Sequence, residues 1–317
     1  MTRDTRYHPL SRKDFLALAT GTLAATAVPQ PSAAAVGPIA TKPIPKSGEN
    51  LPIIGLGTSR VFDVNMNPSD LAPRRGVIQA MVTAGATVID TAPSYGKSEA
   101  VVGTLLDQLD VRDKVFLATK VLARSKEEGL GQMDTSINRL NTDVVDLNQV
   151  HNLVETETQL KSMRAWRDEG RIRYIGITHF FPWFEQQEAL GPVMEKESLD
   201  FVQLNYSLAV RQPENRLLPM AADKGVAVLV NVPFGGFGRK RLFNTVKGKK
   251  LPGWAADLDI NSWAQFFLKF IVSHPAVTCV IPATSKPHHM VDNLNAGRGR
   301  MPSAADRKKM SAFFDNI

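Results

Sequence analysis

At 317 residues, 43% hydrophobic and 22% charged, the chain has room for one barrel-sized domain or two small ones, with a large buried core. Its single cysteine, Cys279, excludes an internal disulfide and, lying in an apolar run, reads as a small buried hydrophobe rather than a nucleophile. The net charge of +7 is local: part sits at the N-terminus and part in residues 239–250, which hold six Lys/Arg and no acid. With no aromatic-interleaved basic stripe and no zinc-ligand spacing, neither nucleic-acid binding nor a metal site is expected.

Residues 1–13 are polar and basic, Phe15–Val28 is apolar and rich in small residues, and Ser32-Ala33-Ala34-Ala35 offers a small-residue cleavage region. That order is the architecture of a secretory signal. The apolar stretch falls short of the roughly 20 residues a stable membrane span needs, so no membrane anchor is expected. Ser11-Arg12-Lys13-Asp14-Phe15-Leu16 resembles the twin-arginine export motif, with Lys13 where the second arginine is expected. The expected organisation is an export signal over 1–35, a linker over 36–45 and one domain over 46–317, giving a periplasmic or otherwise exported protein that meets export machinery. The alternative is a cytoplasmic protein with an N-terminal extension.

From Leu51 onward, short β-like runs alternate with helical patterns. The runs are Ile53–Leu56, Thr87–Asp90, Val115–Lys120, Val144–His151, Ile172–Ile177, Phe201–Tyr206, Val226–Pro233 and Thr278–Ile281. Several are continuously apolar and β-branched, as strands buried on both faces must be. The amphipathic stretches between them are Arg75–Ala84, Glu99–Leu109, Leu130–Leu140, Leu160–Glu169, Trp183–Glu197, Leu217–Lys224, Ser262–Val272 and Pro287–Asn295, with helix stops at Gly85, Gly170 and Gly225. Repeated strand–helix alternation without a second compositional block predicts an α/β fold, a single (β/α)8 TIM barrel, with residues 302–317 as an additional C-terminal helix. An open doubly wound sheet is the runner-up; no GxGxxG follows the first strand to support it.

Barrel active sites lie at the C-terminal ends of strands. The polar residues ending the apolar runs are Asp90, then Tyr95 just beyond it, Lys120, Gln149 and His151, Thr178 and His179, and Gln203, Asn205 and Tyr206. Taken singly, each has a structural reading. An acid, a phenol, an amine and an imidazole at one rim of consecutive strands are much less easily dismissed together.

The chain resembles the aldo-keto reductase family in Ile54-Gly55-Leu56-Gly57-Thr58, Ile89-Asp90-Thr91-Ala92-Pro93-Ser94-Tyr95-Gly96, Ala118-Thr119-Lys120, Gln149-Val150-His151-Asn152, Gln203-Leu204-Asn205-Tyr206 and Ile281-Pro282-Ala283-Thr284-Ser285. The resemblance runs from about residue 46 to 296, in family order. It implies NAD(P)H-dependent reduction of an aldehyde or ketone, with a catalytic tetrad of Asp90, Tyr95, Lys120 and His151. Tyr95 would be the general acid. A free phenol titrates near 10, and the Lys120 ammonium is expected to lower that value toward working pH. Asp90 would hold Lys120 charged, and His151 would donate to the substrate carbonyl.

The same resemblance implies cofactor contacts from Gly57, Thr58, Asp90, Thr178, His179, Gln203, Tyr206, Pro233, Phe234, Gly235, Arg239, Thr284, Ser285, Lys286, His289, Asp292 and Asn293. Tyr206 would stack on the nicotinamide, with core packing as its alternative role. Thr178-His179 stand where the family has Ser-Asn, and Val232-Pro233-Phe234-Gly235 stands where it has Ser-Pro-Leu-Gly. Gly235-Gly236-Phe237-Gly238 and Arg239-Lys240-Arg241 suit a loop over a pyrophosphate, and Thr284–Lys286 precede a helix whose N-terminus favours anions. An arginine that grips the 2′-phosphate in the family is His289 here, while Lys286 and the basic loop restore charge; NADP(H) is expected over NAD(H). The competing readings are a dinucleotide-loaded sensor barrel without significant turnover and a non-redox hydrolase or lyase. The substrate is a small-molecule carbonyl, with Phe62, Phe180, Phe181, Trp183, Phe234 and Trp254 as candidate pocket walls.

Overall fold

The continuous apolar runs become the strands of a parallel barrel. In the computed structural model, which describes residues 37–180, 184–235 and 242–317, these strands are β3 (Leu56–Gly57), β4 (Val88–Asp90), β5 (Phe116–Val121), β6 (Val145–His151), β7 (Ile172–Thr178), β8 (Phe201–Asn205), β9 (Ala227–Asn231) and β10 (Cys279–Val280). They pair in chain order, all parallel, in one eight-stranded sheet. The first and last strands then meet, through Ile54 bridging Val280 and Gly57 bridging Ala283. Glycine is required at that seam, because a Cβ on Gly57 would lie 2.7 Å from the Ile281 carbonyl oxygen. The expected (β/α)8 barrel is the observed fold.

Helices α1 (Pro68–Thr83), α2 (Ser98–Leu109), α3 (Lys126–Leu140), α4 (Thr156–Asp168), α5 (Phe184–Gln187), α6 (Leu190–Lys196), α7 (Leu217–Asp223), α8 (Leu242–Thr245), α9 (Trp263–Val272), α10 (Pro287–Asn295) and α11 (Ala304–Asp315) follow the strands. Local chemistry sets their ends. Asn67 and Ser125 cap α1 and α3 by accepting the backbone N–H of Asp70 and Glu128. The stops expected at Gly85, Gly170 and Gly225 are present, each glycine having positive φ. Helix α1 starts a full turn and more before the expected Arg75. Its start is capped by Asn67 with Pro68 in the first turn, and the helix runs on through Pro73. The stretch expected as one helix over 183–197 is two short ones, α5 and α6. The additional C-terminal helix, α11, opens with a reciprocal capping box between Ser303 and Asp306. Among the described residues, no helix is long and apolar enough to cross a membrane.

The expected signal over 1–35 lies outside the described residues. The expected linker does not hold where it is described. One compact unit runs from Gly37 to Ile317, and strands β1 (Thr41–Pro43) and β2 (Asn50–Pro52) form an antiparallel hairpin. Lys42 Nζ donates to the carbonyls of Val272, His274 and Val277 at 2.9, 2.7 and 2.6 Å, tying the hairpin to the end of α9. Ile44 and Leu51 join the cluster that fills the barrel interior with Val88, Phe116, Leu147, Phe201, Leu229 and Cys279. The hairpin is therefore the plug of the barrel's N-terminal end, and Cys279 is the buried hydrophobe its sequence context suggests.

Leu51 is 2% exposed in that plug. Leu51→Ala should destabilise the protein by about 2–5 kcal/mol in urea unfolding, the range for emptying a core leucine site. A loss well below 1 kcal/mol would show that the hairpin is not part of the core.

Candidate active site

Alternate residues of a strand face the same side, and here the inward rows change character at one level. Val88 is followed inward by Asp90, Ala118 by Lys120, Leu147 by Gln149 and His151, Phe201 by Gln203, and Leu229 by Asn231. The lower members pack the apolar interior, and the upper ones are buried polar residues.

Asp90 is the hub of that polar layer. Its Oδ2 accepts from Lys120 Nζ at 2.7 Å, and its Oδ1 accepts from Gln203 Nε2 at 2.8 Å and Gln149 Nε2 at 3.2 Å. Lys120 also donates to the Thr91 carbonyl at 2.8 Å. Both charged groups are almost fully buried, which is costly unless the pair is tight and its remaining valences are filled. Burial alone would discharge Lys120. The neighbouring Asp90 and Tyr95 outweigh it and hold the amine's pKa above its ordinary value.

Tyr95 lies in the turn after β4, its N–H donating to the Ala92 carbonyl at 3.0 Å. Lys120 Nζ sits 4.9 Å from the phenol ring centroid. The expected lowering of the phenol's pKa is not what the structure supports. Burial pushes it up, Lys120 pulls it down, Asp90 pushes it up again, and the net direction is upward. Tyr95 therefore keeps its proton.

His151 ends β6 and is 3% exposed. Its Nδ1 lies 3.5 Å from Ser94 Oγ, and its buried Nε2 has no hydrogen-bond partner among the described residues. Burial, Lys120 and His179 depress its pKa to about 3, so the imidazole is neutral at physiological pH. Tyr95, His151, Asp90 and Gln203 line one cavity of about 900 Å³ at the C-terminal mouth of the barrel.

The profile of the Aldo/keto reductase family matches residues 53–305. The chain belongs to this family. Among its relatives, methylglyoxal reductase YeaE of Escherichia coli is 30% identical over 78% of this chain and 86% of its own. Aldo-keto reductase YhdN of Bacillus subtilis is 34% identical over 56% of each chain. A solved aldo/keto reductase from Klebsiella pneumoniae, in complex with NADP and acetate, is 26% identical, superposes with a TM-score of 0.69 and covers 84% of this chain and 93% of its own.

The structure brings Asp90, Tyr95, Lys120 and His151 together, with Lys120 behind the cavity wall and held by Asp90. Of the expected cofactor residues, Gly57, Thr58, Gln203, Pro233, Phe234 and Gly235 line the cavity beside Asp90. Thr178 is behind it, donating to Gln203 Oε1 at 3.2 Å, and His179 is reached through its backbone carbonyl by Asn231 Nδ2 at 3.4 Å. The second group, Thr284–Lys286, His289, Asp292 and Asn293, gathers at the start of α10 and along it, outside this cavity. Lys286 occupies the N-cap. Asp292 spends its carboxylate on Ser262 Oγ and Gln265 Nε2, at 2.8 and 2.6 Å, which ties α10 to the start of α9. Burial, His288 and Lys286 lower the pKa of His289, so it does not replace a permanently charged arginine. Arg239, Phe181 and Trp183 lie outside the described residues.

Tyr206 is a correction. Its fully buried ring packs on Phe270 and His274, and its hydroxyl bonds Glu214 and Arg307. It faces the helices outside the barrel and touches nothing in the cavity, so its role is core packing. Trp254 likewise packs on Phe266 and Phe313 rather than walling the pocket. Phe180 and Phe234 do line the cavity. The sequence reading gave no role to Gln149, the second amide on Asp90, or to Asn231, although both stand in register with inward polar residues. The chain leaves β9 through Val232 at φ 48°, a strained conformation for a β-branched residue, before Pro233 and Phe234.

In the unfolded chain, His151 takes a proton below its ordinary value of about 6.5, whereas folded it stays neutral down to about 3. Protons therefore favour unfolding across that window, and stability falls as pH drops through it. His151→Gln should flatten this part of a Tm–pH curve. Identical slopes for both proteins would refute a buried neutral His151.

Proposed function

We propose that this chain reduces an aldehyde or ketone to the alcohol with NADPH, Tyr95 acting as general acid. The observation that carries the reading is the placement of a protonated Tyr95 and a neutral His151 on one cavity, beside a buried Lys120–Asp90 pair. The site fits a dinucleotide: the cavity is large, and glycines and buried polar side chains, Asp90, Gln203 and Asn231, line it. Gly57, Thr58, Gln203 and Pro233–Gly235 would hold the nicotinamide half, and Thr284–Lys286 at the α10 N-terminus would hold the phosphate end. NADPH, when bound, supplies the hydride.

The chain's own residues do the rest. His151, with Ser94 Oγ near Nδ1, donates from Nε2 to the carbonyl oxygen and orients it. As negative charge grows on that oxygen, the Tyr95 hydroxyl transfers its proton there, completing the alcohol. The Lys120 ammonium stabilises the resulting phenolate, and Asp90 keeps Lys120 in place and charged. The NADP and acetate named in the Klebsiella structure and the methylglyoxal reductase among the relatives support a small carbonyl substrate and NADPH.

Tyr95→Phe should lower kcat about 10²–10⁴-fold, the contribution of general acid catalysis, with NADPH affinity unchanged. Near-normal reduction by this variant would remove Tyr95 from the role of general acid, and NADPH binding by the wild type without turnover of any carbonyl would favour the sensor reading. Lys286→Ala should weaken NADPH binding more than NADH binding, because only NADPH carries a 2′-phosphate; equal losses would remove Lys286 from that role. We further propose export through residues 1–35, supported by their sequence order alone. Mass spectrometry of protein from the native host should find a mature start near residue 36, outside the cytoplasm. Met1 intact on cytoplasmic protein would reject this.

A further inference from the structure

Asp90, Lys120 and His151 stand on β4, β5 and β6, where strand pairing sets their places. Tyr95 stands beyond its strand end, in a turn, so the place of the phenol depends on what holds that turn. Within the turn, Tyr95 N–H bonds the Ala92 carbonyl at 3.0 Å and the Tyr95 carbonyl accepts from Ser98 N–H at 3.2 Å. A further hold comes from a loop more than thirty residues earlier in the chain. Residues 58–65 follow β3, and their start is bonded to the strand that carries Asp90. Thr58 donates to the Asp90 carbonyl from its N–H at 3.1 Å and from its hydroxyl at 3.0 Å. The Thr58 carbonyl in turn accepts from the N–H groups of Val61 and Phe62, at 3.2 and 3.0 Å. Phe62 is fully buried, and Arg74 Nε donates to the Val61 carbonyl at 2.8 Å, which binds the loop to α1.

Asp63 follows that anchor and reaches over the Tyr95 turn. Its Oδ1 accepts from the Lys97 N–H at 3.0 Å, and Lys97 Nζ donates to Asn65 Oδ1 at 2.9 Å. Gly96 lies between Tyr95 and Lys97 with φ of 61°. A Cβ there would collide with both oxygens and the Cγ of Asp63, so the carboxylate fills the place of the side chain that Gly96 lacks. Asp63, Tyr95 and Gly96 line the same cavity. Resting on the reaction proposed above, we propose that Asp63 is a positioning residue for Tyr95: it pins the Gly96–Lys97 backbone to a loop bonded to Asp90, and so sets where the phenol stands. The hold needs an acceptor oxygen and a side chain that fits over Gly96, not a charge. Through Thr58 and Asp63, the strand that carries Asp90 and the turn that carries the acid are tied together twice, once along the chain and once across this loop.

The test reads the phenol and the reaction separately. In cofactor-free protein carrying carbon-13 at tyrosine Cζ, the Tyr95 signal is the one lost in Tyr95→Phe. It should shift or broaden in Asp63→Ala and return toward its wild-type position in Asp63→Asn, which keeps the acceptor oxygen without the charge. With NADPH and benzaldehyde, an uncharged carbonyl, Asp63→Ala should lower kcat about 10- to 100-fold, the scale of a misplacement of about 1 Å, with NADPH affinity unchanged. Asp63→Asn should recover most of that loss. If Asp63→Ala does not fold, Asp63→Glu, which keeps the charge but moves the acceptor, replaces it in both measurements. Wild-type kcat or an unmoved Tyr95 signal in the alanine variant, with or without a lower Tm, overturns the assignment; Asp63 then only caps the start of α2 and the proposed reaction stands. An asparagine variant as impaired as the alanine one overturns the hold through the acceptor oxygen. A wild type that reduces no carbonyl overturns the proposed reaction and the catalytic sense of this assignment with it.

Discussion

A buried carboxylate and a buried ammonium, 2.7 Å apart at the top of the barrel, govern the polar layer above the core. Neither charge is tolerable there alone; removing one partner from such a pair costs about 3–5 kcal/mol because the other is left buried. Asp90 therefore gathers every donor within reach, Lys120 on one oxygen and two glutamine amides on the other. Because it can only accept, it sets the sense of each hydrogen bond outward to Thr178 and Asn231. Lys120 is held charged without exposure to water, its Nζ 4.9 Å from the centroid of the Tyr95 ring.

The pair sits where it does because the barrel has an apolar floor. Val88, Phe116, Leu147, Phe201 and Leu229 fill the interior, and Ile44 and Leu51 of the hairpin close it from below. Water is kept from the lower faces of Asp90 and Lys120. The same dryness explains two opposite-looking results. Burial keeps the Tyr95 proton on and keeps a proton off His151, since in each case the neutral form is the one a low-dielectric site favours. A neutral phenol and a neutral imidazole are both able to donate to one carbonyl oxygen.

The cavity and the phosphate end proposed at α10 are built differently. The first rests on strand ends locked by paired backbone and buried amides. The second rests on the N-terminus of α10, where Lys286 is exposed and Asp292 is committed to holding α9. Rigid strand ends suit atoms that must meet within a fraction of an ångström. An exposed lysine at a helix start suits a charged group that needs attraction more than aim.

Local pattern was enough for the barrel and its polar strand ends, because a strand buried on both faces must be apolar throughout and any polar residue ending it stands out, whereas the roles given to Asp90, Tyr95, Lys120 and His151 came from the resemblance to the family. Helix stops at Gly85, Gly170 and Gly225 were legible for a similar reason: a positive φ selects its residue. The hairpin was not, since strands of three residues among prolines and a glycine carry no period. Tyr206 ends a strand like its neighbours do, yet its ring packs between Phe270 and His274 outside the barrel; only the packed helices decide which side a residue just past a strand end takes. Gln149 and Asn231 are ordinary amides in the sequence. Their roles arise from neighbours 59 and 28 residues away, Asp90 and Gln203. The pKa of Tyr95 is of the same kind: the charge of Lys120 could be named from sequence, but burial, which outweighs it, exists only once the chain has folded around the phenol.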